Sequence, residues 1–199
     1  MNFLAHFLLS DGDDELRLGN LLGDVVKGRV ERFTYPGVTE RMRTGIRLHR
    51  TIDSFSDAHP VVRRSKGRVA AKYGRVSGVL VDMYYDHVLA REWDVHGEGQ
   101  LHAFVADVHR TLHDNMSRLP EDVHPLVHAM TRGQWLTGYA RIDGIASALR
   151  GMAHRTPVAA GIAGAAADLA AQYQAFAADF AEFFPDLRAH CAAYLEGAR

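Results

Sequence analysis

Apolar residues recur at three- and four-residue intervals along this chain, and strand-like alternation is scarce, which commits the sequence to helices. Leu18, Leu21, Leu22 and Val25 form one stripe of a helix expected over Leu16 to Val26, with Asp13 or Asp14 as its cap. Pro36-Gly37 breaks the chain, and a second helix is expected from Val38 to Ser56, with Met42, Ile46, His49 and Asp53 near one face. Pro60 fits the first turn of a helix that ends at Tyr73-Gly74. Further helices are expected over Val79 to Trp93, Leu101 to Met116 and Ile142 to Met152, with one starting near Pro120 or Pro125 and a short piece around Trp135 to Tyr139. An Ala-rich helix runs from Ala159 to Phe184, is stopped by Pro185, and is followed by a last helix. No repeat or linker divides these elements, and 47% of the 199 residues are hydrophobic, enough for one core. The expected architecture is therefore all-α: a single-domain helical bundle spanning 1–199.

Polar chemistry is concentrated in the first half of that pattern. His49 and Asp53 lie four residues apart and share a helix face, with Asp57 and His59 close behind. Such a pair either holds a divalent cation or is an ordinary surface hydrogen bond. Asp82, Asp86 and His87 interrupt the apolar run from Val79 to Leu89, where buried acids need a compensating partner. Asp24 interrupts a third apolar stripe, within Gly19-Asn20-Leu21-Leu22-Gly23-Asp24, shortly before Lys27-Gly28. A donor set of oxygens and imidazoles without sulfur favours Mn²⁺ or Mg²⁺ and also accepts Fe or Zn. Such an ion polarises a phosphoryl oxygen and activates water, and the nearby Arg47, Arg50, Arg63 and Arg64 can neutralise phosphate charge. Phosphoester hydrolysis is the chemistry these residues suggest.

Charge distribution adds a partner. Between Arg41 and Arg75, ten of the 23 Lys/Arg stand against two acids, Asp53 and Asp57, although the whole chain carries a formal charge of −1. A basic segment on an otherwise acidic chain suits a localised anionic partner or a solvated helix face. The one cysteine, Cys191, excludes an intramolecular disulfide and a CxxC zinc site. No apolar run is long enough for a bilayer, and the N-terminal segment lacks the features of an export signal, so a cytoplasmic protein without a membrane partner is expected. HExxH, Walker A, GxGxxG and GxSxG motifs are absent. Asp11-Gly12-Asp13-Asp14-Glu15 lacks calcium-loop spacing and reads as a solvated turn; Trp93, Trp135 and Tyr139 read as packing residues, and His102, His109 and His113 as one wet helix face.

Several of these segments resemble the acyl carrier protein phosphodiesterase family: Met1-Asn2-Phe3-Leu4-Ala5-His6, the Gly19 to Asp24 run with Lys27-Gly28, Gly45-Ile46-Arg47-Leu48-His49-Arg50-Thr51-Ile52-Asp53, Asp57, His59-Pro60, and Asp82-Met83-Tyr84-Tyr85-Asp86-His87 with Leu89 and Trp93. A weaker echo lies at Gln134-Trp135-Leu136 and Tyr139. The resemblance implies a fold akin to HD-type phosphohydrolases and Mn²⁺-dependent hydrolysis (with Mg²⁺ or Fe²⁺ as substitutes) of the phosphodiester between 4′-phosphopantetheine and a serine of holo-acyl carrier protein. It implies Asp24, His49, Asp53, Asp86 and His87 as metal ligands and His6 and Asp82 as catalytic residues. Lys27, Arg47, Arg50, Arg63 and Arg64 would bind the substrate, with the basic segment seating the acidic carrier protein. Asp86-His87 runs in the reverse order of the HD pair. The competing expectations are a helical metal phosphohydrolase acting on nucleotides or another small phosphoester, and a non-enzymatic nucleic-acid binder, which carboxylates set in apolar helices argue against.

Overall fold

The structure is a computed structural model that describes residues 1–155 and 161–198; the expected helix start at Ala159 lies outside the described residues. The α-helices are α1 (Phe3–Leu8), α2 (Asp14–Gly23), α3 (Glu40–Ala58), α4 (Pro60–Tyr73), α5 (Ser77–Arg91), α6 (Trp93–His96), α7 (Leu101–Asp114), α8 (His124–Arg132), α9 (Trp135–Gly138), α10 (Ile142–Arg155) and α11 (Ala166–Gly197). No strand occurs among the described residues, so the chain is all-α as its periodicity requires. No helix among them is long and apolar enough to cross a membrane.

Caps set the boundaries. Asp13 accepts the Leu16 N–H at 2.9 Å to start α2, and Thr39 accepts the Met42 N–H at 3.1 Å to start α3. His59 closes α3 and opens α4, with Pro60 in the first turn. Asp13 is thus a cap; of the acidic stretch around it, Asp11 and Gly12 form a turn while Asp14 and Glu15 begin α2.

Among the described residues, helices α2 and α3 share the most extensive contact, and two glycines permit it. A Cβ on Gly19 would stand 2.0 Å from the Met42 carbonyl oxygen, and one on Gly45 would stand 2.5 Å from the Leu16 carbonyl oxygen. Backbone therefore lies against backbone where α2 and α3 cross, which fixes the register of Asp24 against His49 and Asp53.

Helix α5 is the central element. Tyr84 meets Phe176 and Tyr85 meets Phe180 edge-on, with centroids 5.0 and 5.4 Å apart. Its solvent-free run explains why periodicity identified it: Leu80, Val81, Met83, Val88 and Leu89 are all buried. Trp93 packs as expected, buried against Phe104. Val25 departs from its expected stripe, being 37% exposed because α2 ends at Gly23.

Pro185 does not stop the last long helix. Helix α11 continues through it to Gly197, with one break in helical geometry at Gln172 (φ −120°, ψ 18°). Proline removes one hydrogen bond and crowds the residue four positions earlier. Here Ala181 and Pro185 both face solvent, while Phe183, Phe184 and Leu187 anchor the turn in the core. Packing outweighs the lost bond.

Asp86 and His87 carry structure instead of joining the expected ligand set. Asp86 is fully buried, and its two carboxylate oxygens accept the N–H groups of Leu4 (2.8 Å) and Ala5 (3.3 Å). It thereby caps α1 from across the core. Burial pushes its carboxyl up to about 7, against the opposing pull of the Met1 amine and the backbone donors. His87 points elsewhere, its Nδ1 paired at 2.6 Å with the Tyr139 carbonyl. Asp86→Ala leaves two buried N–H groups without acceptors, which costs about 2–4 kcal/mol and lowers Tm by about 5–12 °C. Asp86→Asn, which keeps one acceptor, is expected to lose less in a calorimetric melt.

The basic helix α4 is also more structural than its sequence suggests. Asp179 of α11, 2% exposed, receives Arg64 Nε (2.8 Å), Arg68 Nε (3.0 Å) and Ser65 Oγ (2.6 Å). Burial would raise the Asp179 carboxyl, but these donors hold it below the usual carboxylate range. Lys72 pairs with Asp168, and Lys66 with Asp57. The expected basic face is largely neutralised within the fold, where it clamps α4 to α11.

Candidate metal centre

Two helices, α1 with His6 and α3 with His49 and Asp53, bring these side chains together, so that one donor atom from each lies within 4.8 Å of the others. His6 Nε2 is 3.2 Å from Asp53 Oδ1, and His49 Nε2 is 3.1 Å from Asp53 Oδ2 and 3.7 Å from Asp24 Oδ1. The two imidazoles stack with centroids 4.2 Å apart. Asp24 and Asp82 complete the walls of a pocket of about 190 Å³ with Met1, Asn2, Phe3, Val79, Met83 and Met152. The Met1 nitrogen lies 3.0 Å from Asp82 Oδ1.

The local sequence explains each placement. Gly19 allows the helix crossing. Asn20 holds His6. Gly23 makes room for His49, since a Cβ there would stand 2.2 Å from its ring. Asp24, at the helix C-cap, faces the same imidazole. Every polar or glycine position of Gly19-Asn20-Leu21-Leu22-Gly23-Asp24 thus serves one centre, while Leu21 and Leu22 anchor it in the core.

Hydrogen bonding around Asn20 fixes the chemistry of His6. Asn20 Nδ2 donates to the His6 carbonyl (3.1 Å) and to Ser10 Oγ (2.8 Å), and Ser10 donates to that same carbonyl (2.9 Å). Asn20 Oδ1 must then accept, and it meets His6 Nδ1 at 2.9 Å. The proton of a neutral His6 therefore sits on Nδ1, and Nε2 presents a lone pair. That Nε2, in a side chain only 4% exposed, has no hydrogen-bond partner and faces a carboxylate oxygen. Two lone pairs opposed at 3.2 Å repel unless a proton or a cation lies between them. Burial pushes the His6 imidazole below its ordinary pKa despite the raising pull of Asp53, and the stacked His49 disfavours a second cation there. Burial also acts to raise Asp53, but His49 and His6 outweigh it and hold the carboxyl well below its usual range. The residues present therefore fit a divalent cation bound through two imidazole nitrogens and Asp53, with Asp24 and Asp82 within reach.

Of the residues expected to act here, His6, Asp24, His49, Asp53 and Asp82 share the pocket, and Asp86 and His87 do not. None of the five expected substrate-binding cations lines it. Lys27, three residues after Asp24, has its Nζ donating to the Asp24 carbonyl at 2.7 Å. Arg50 donates to the Val26 carbonyl at 2.9 Å and so holds the loop after α2. Arg47 pairs with Glu40 and Glu31 on the surface; Arg64 is engaged by Asp179 and Glu182, and Arg63 lies exposed on the same helix. Asp57 and His59 lie outside the centre, on Lys66 and Asp186. His102 and His113 are exposed on α7, and His109 is half-buried.

Sequence reasoning missed Asn20, Gly23 and a neighbouring cleft. The cleft, of about 1060 Å³, is walled by α9 and α10, including Trp135, Tyr139, Arg141, Ser147 and Met152. The echo at Gln134-Trp135-Leu136 was its one signal; Tyr139 is buried and Trp135, half-buried, packs against the core as expected, and both also line the cleft.

The profile of the family described as "Acyl carrier protein phosphodiesterase" matches residues 1–187. A protein named acyl carrier protein phosphodiesterase from Pectobacterium atrosepticum is 32% identical over 186 residues, covering 93% of this chain and 94% of its own. One of the same name from Photorhabdus laumondii is 34% identical, covering 93% and 92%. Another from Salmonella dublin is 34% identical over 193 residues, covering 96% and 98%. No solved structure gives a significant match.

Proposed function

The chain belongs to the acyl carrier protein phosphodiesterase family, and from that premise we propose that the His6–His49–Asp53 pocket hydrolyses the phosphodiester of holo-acyl carrier protein with the aid of a divalent cation. The bond cleaved joins 4′-phosphopantetheine to a serine of the carrier protein, and the products are apo-carrier protein and free 4′-phosphopantetheine. The observation that supports the metal is the His6 Nε2 lone pair set against Asp53 in a buried pocket. Oxygen and imidazole donors suit Mn²⁺ best, with Mg²⁺ and Fe²⁺ as substitutes.

A cation bound there supplies a Lewis acid for a phosphoryl oxygen and lowers the pKa of a coordinated water. The chain supplies the rest. Asn20 keeps the His6 proton on Nδ1 and so keeps Nε2 available. Asp53 spans both imidazoles through separate oxygens and orients their planes. Asp24 and Asp82, each partly exposed at the walls, would take or hold a proton when water adds to phosphorus and the serine oxygen leaves. Lys27, exposed beside Asp24, can offset phosphate charge at the mouth.

Purified protein stripped with a chelator and incubated with holo-carrier protein is expected to lose at least about a hundredfold in rate. Added Mn²⁺ should restore it, followed as the mass loss of the arm. Undiminished activity after chelation would remove the metal from the mechanism. No mass loss at any metal concentration would remove the substrate.

A further inference from the structure

Beside the metal centre runs a cleft far larger than a phosphate needs. Its volume is about 1060 Å³ against about 190 Å³ for the pocket holding His6, His49 and Asp53. The two adjoin, because Asn2, Phe3, Asp24, Met83 and Met152 line both. The cleft leads from the centre along α10, which turns Gly144, Ser147, Ala148 and Gly151 towards it. That spacing of three, four and seven places one small-residue face along the floor. Gly144 itself is required for another reason: a Cβ there would stand 2.0 Å from the Gly138 carbonyl oxygen, so α9 and α10 touch through backbone and leave the floor open.

We propose that this cleft holds the pantetheine arm of the substrate and determines specificity for it; the inference rests on the reading above that the centre cleaves a phosphopantetheine diester. Adjacency to the centre is the first argument: an arm whose phosphate reaches His6 and Asp53 can pass along the shared residues Phe3, Met83 and Met152 into the larger cleft. Chemical match is the second. Pantetheine alternates apolar parts, a gem-dimethyl carbon and short methylene runs, with two amides and a hydroxyl. The cleft offers both kinds of surface, with Leu126, Trp135 and Met152 as well as Gln134, Arg141 and Ser147 among its lining. Size is the third, since the space is at the upper end of small-ligand sites, roughly 300–1,000 Å³, and admits an extended chain that a compact phosphoester would not fill.

The test uses full-length protein loaded with Mn²⁺, and free reduced pantetheine as the probe, because it lacks the phosphate that would draw it to the metal. Pantetheine is expected to inhibit hydrolysis of holo-carrier protein competitively, and inorganic phosphate serves as the probe of the centre itself. Ser147→Trp, at an exposed helix position, and Ala148→Phe fill the floor from adjacent positions. In both, the ratio of pantetheine affinity to phosphate affinity should fall at least tenfold, and KM for holo-carrier protein should rise more than kcat falls. Two variants guard against a folding defect in one, and thermal melts identify it. A wild-type protein that phosphate inhibits and pantetheine does not overturns the proposal, as does an unchanged ratio in both folded variants. Failure of the functional reading looks different: holo-carrier protein is then not cleaved at all, while calorimetry still reports whether pantetheine occupies the cleft.

Discussion

Asp53→Asn is expected to reduce turnover of holo-carrier protein at least about a thousandfold while leaving the fold intact. Asp53 lies one turn after His49 on α3 and reaches His6 on α1, so a single carboxylate spans both imidazoles at 3.1–3.2 Å. The amide is the same size but carries no charge, and one of its two ends is a donor. A donor placed against Nε2 of His6 or His49 occupies the lone pair that a cation needs. Metal affinity should therefore fall by more than about a hundredfold, measured by titration of the stripped protein. Stability should change little, because the Asp53 side chain is 44% exposed and supports no helix cap. A variant that retains activity within tenfold and still binds Mn²⁺ stoichiometrically would show that the centre lies elsewhere.

How far the sequence alone reaches differs from element to element. Helices α4 and α5 are legible because their signals are local: Pro60 and Gly74 bound one, and an apolar run defines the other. Helix α1 is not. Six residues cannot hold a helix by themselves, and what holds this one is Asp86, some eighty positions later in the chain. The same contact explains the misassignment of Asp86. A buried acid does need a partner, and the sequence cannot tell a cation from two backbone N–H groups. His87 sits about 100° further round α5 and so looks to the Tyr139 carbonyl, away from the pocket. Pairing at the (i, i+4) spacing was informative for His49 and Asp53, because their side chains share a face. Adjacency was misleading for Asp86 and His87 for the converse reason. Asn20 gave one faint signal, a polar residue one turn before Asp24 in an apolar stripe. The cleft gave almost none: its floor is defined by what Gly144, Ser147 and Gly151 lack, and absence of side chain has no periodicity to read.

Glycine positions carry the second large effect, and the expected result for Gly23→Ala is a loss of at least about a hundredfold in activity from one added methyl group. That methyl would stand 2.2 Å from Cγ, 2.5 Å from Cβ and 2.7 Å from Cδ2 of His49. Three near contacts on the stem and one flank of the ring leave no small adjustment, so the imidazole must swing or α2 must withdraw from α3. Withdrawal is resisted where Gly19 and Gly45 bring the two backbones together. The ring is therefore expected to move, taking Nε2 out of reach of Asp53 and Asp24. Overpacking of this kind costs roughly 1–3 kcal/mol in stability, too little to unfold a chain of this size but enough to misplace a ligand by more than catalysis tolerates. Gly67 provides the comparison. It lies within α4, a Cβ there meets nothing within 4 Å, and Gly67→Ala should stabilise by about 0.5–1 kcal/mol through helix propensity. Measuring both variants by thermal melt, Mn²⁺ titration and turnover separates the two consequences of the same substitution. If Gly23→Ala keeps full activity and metal binding, the tight seat of His49 has no bearing on catalysis.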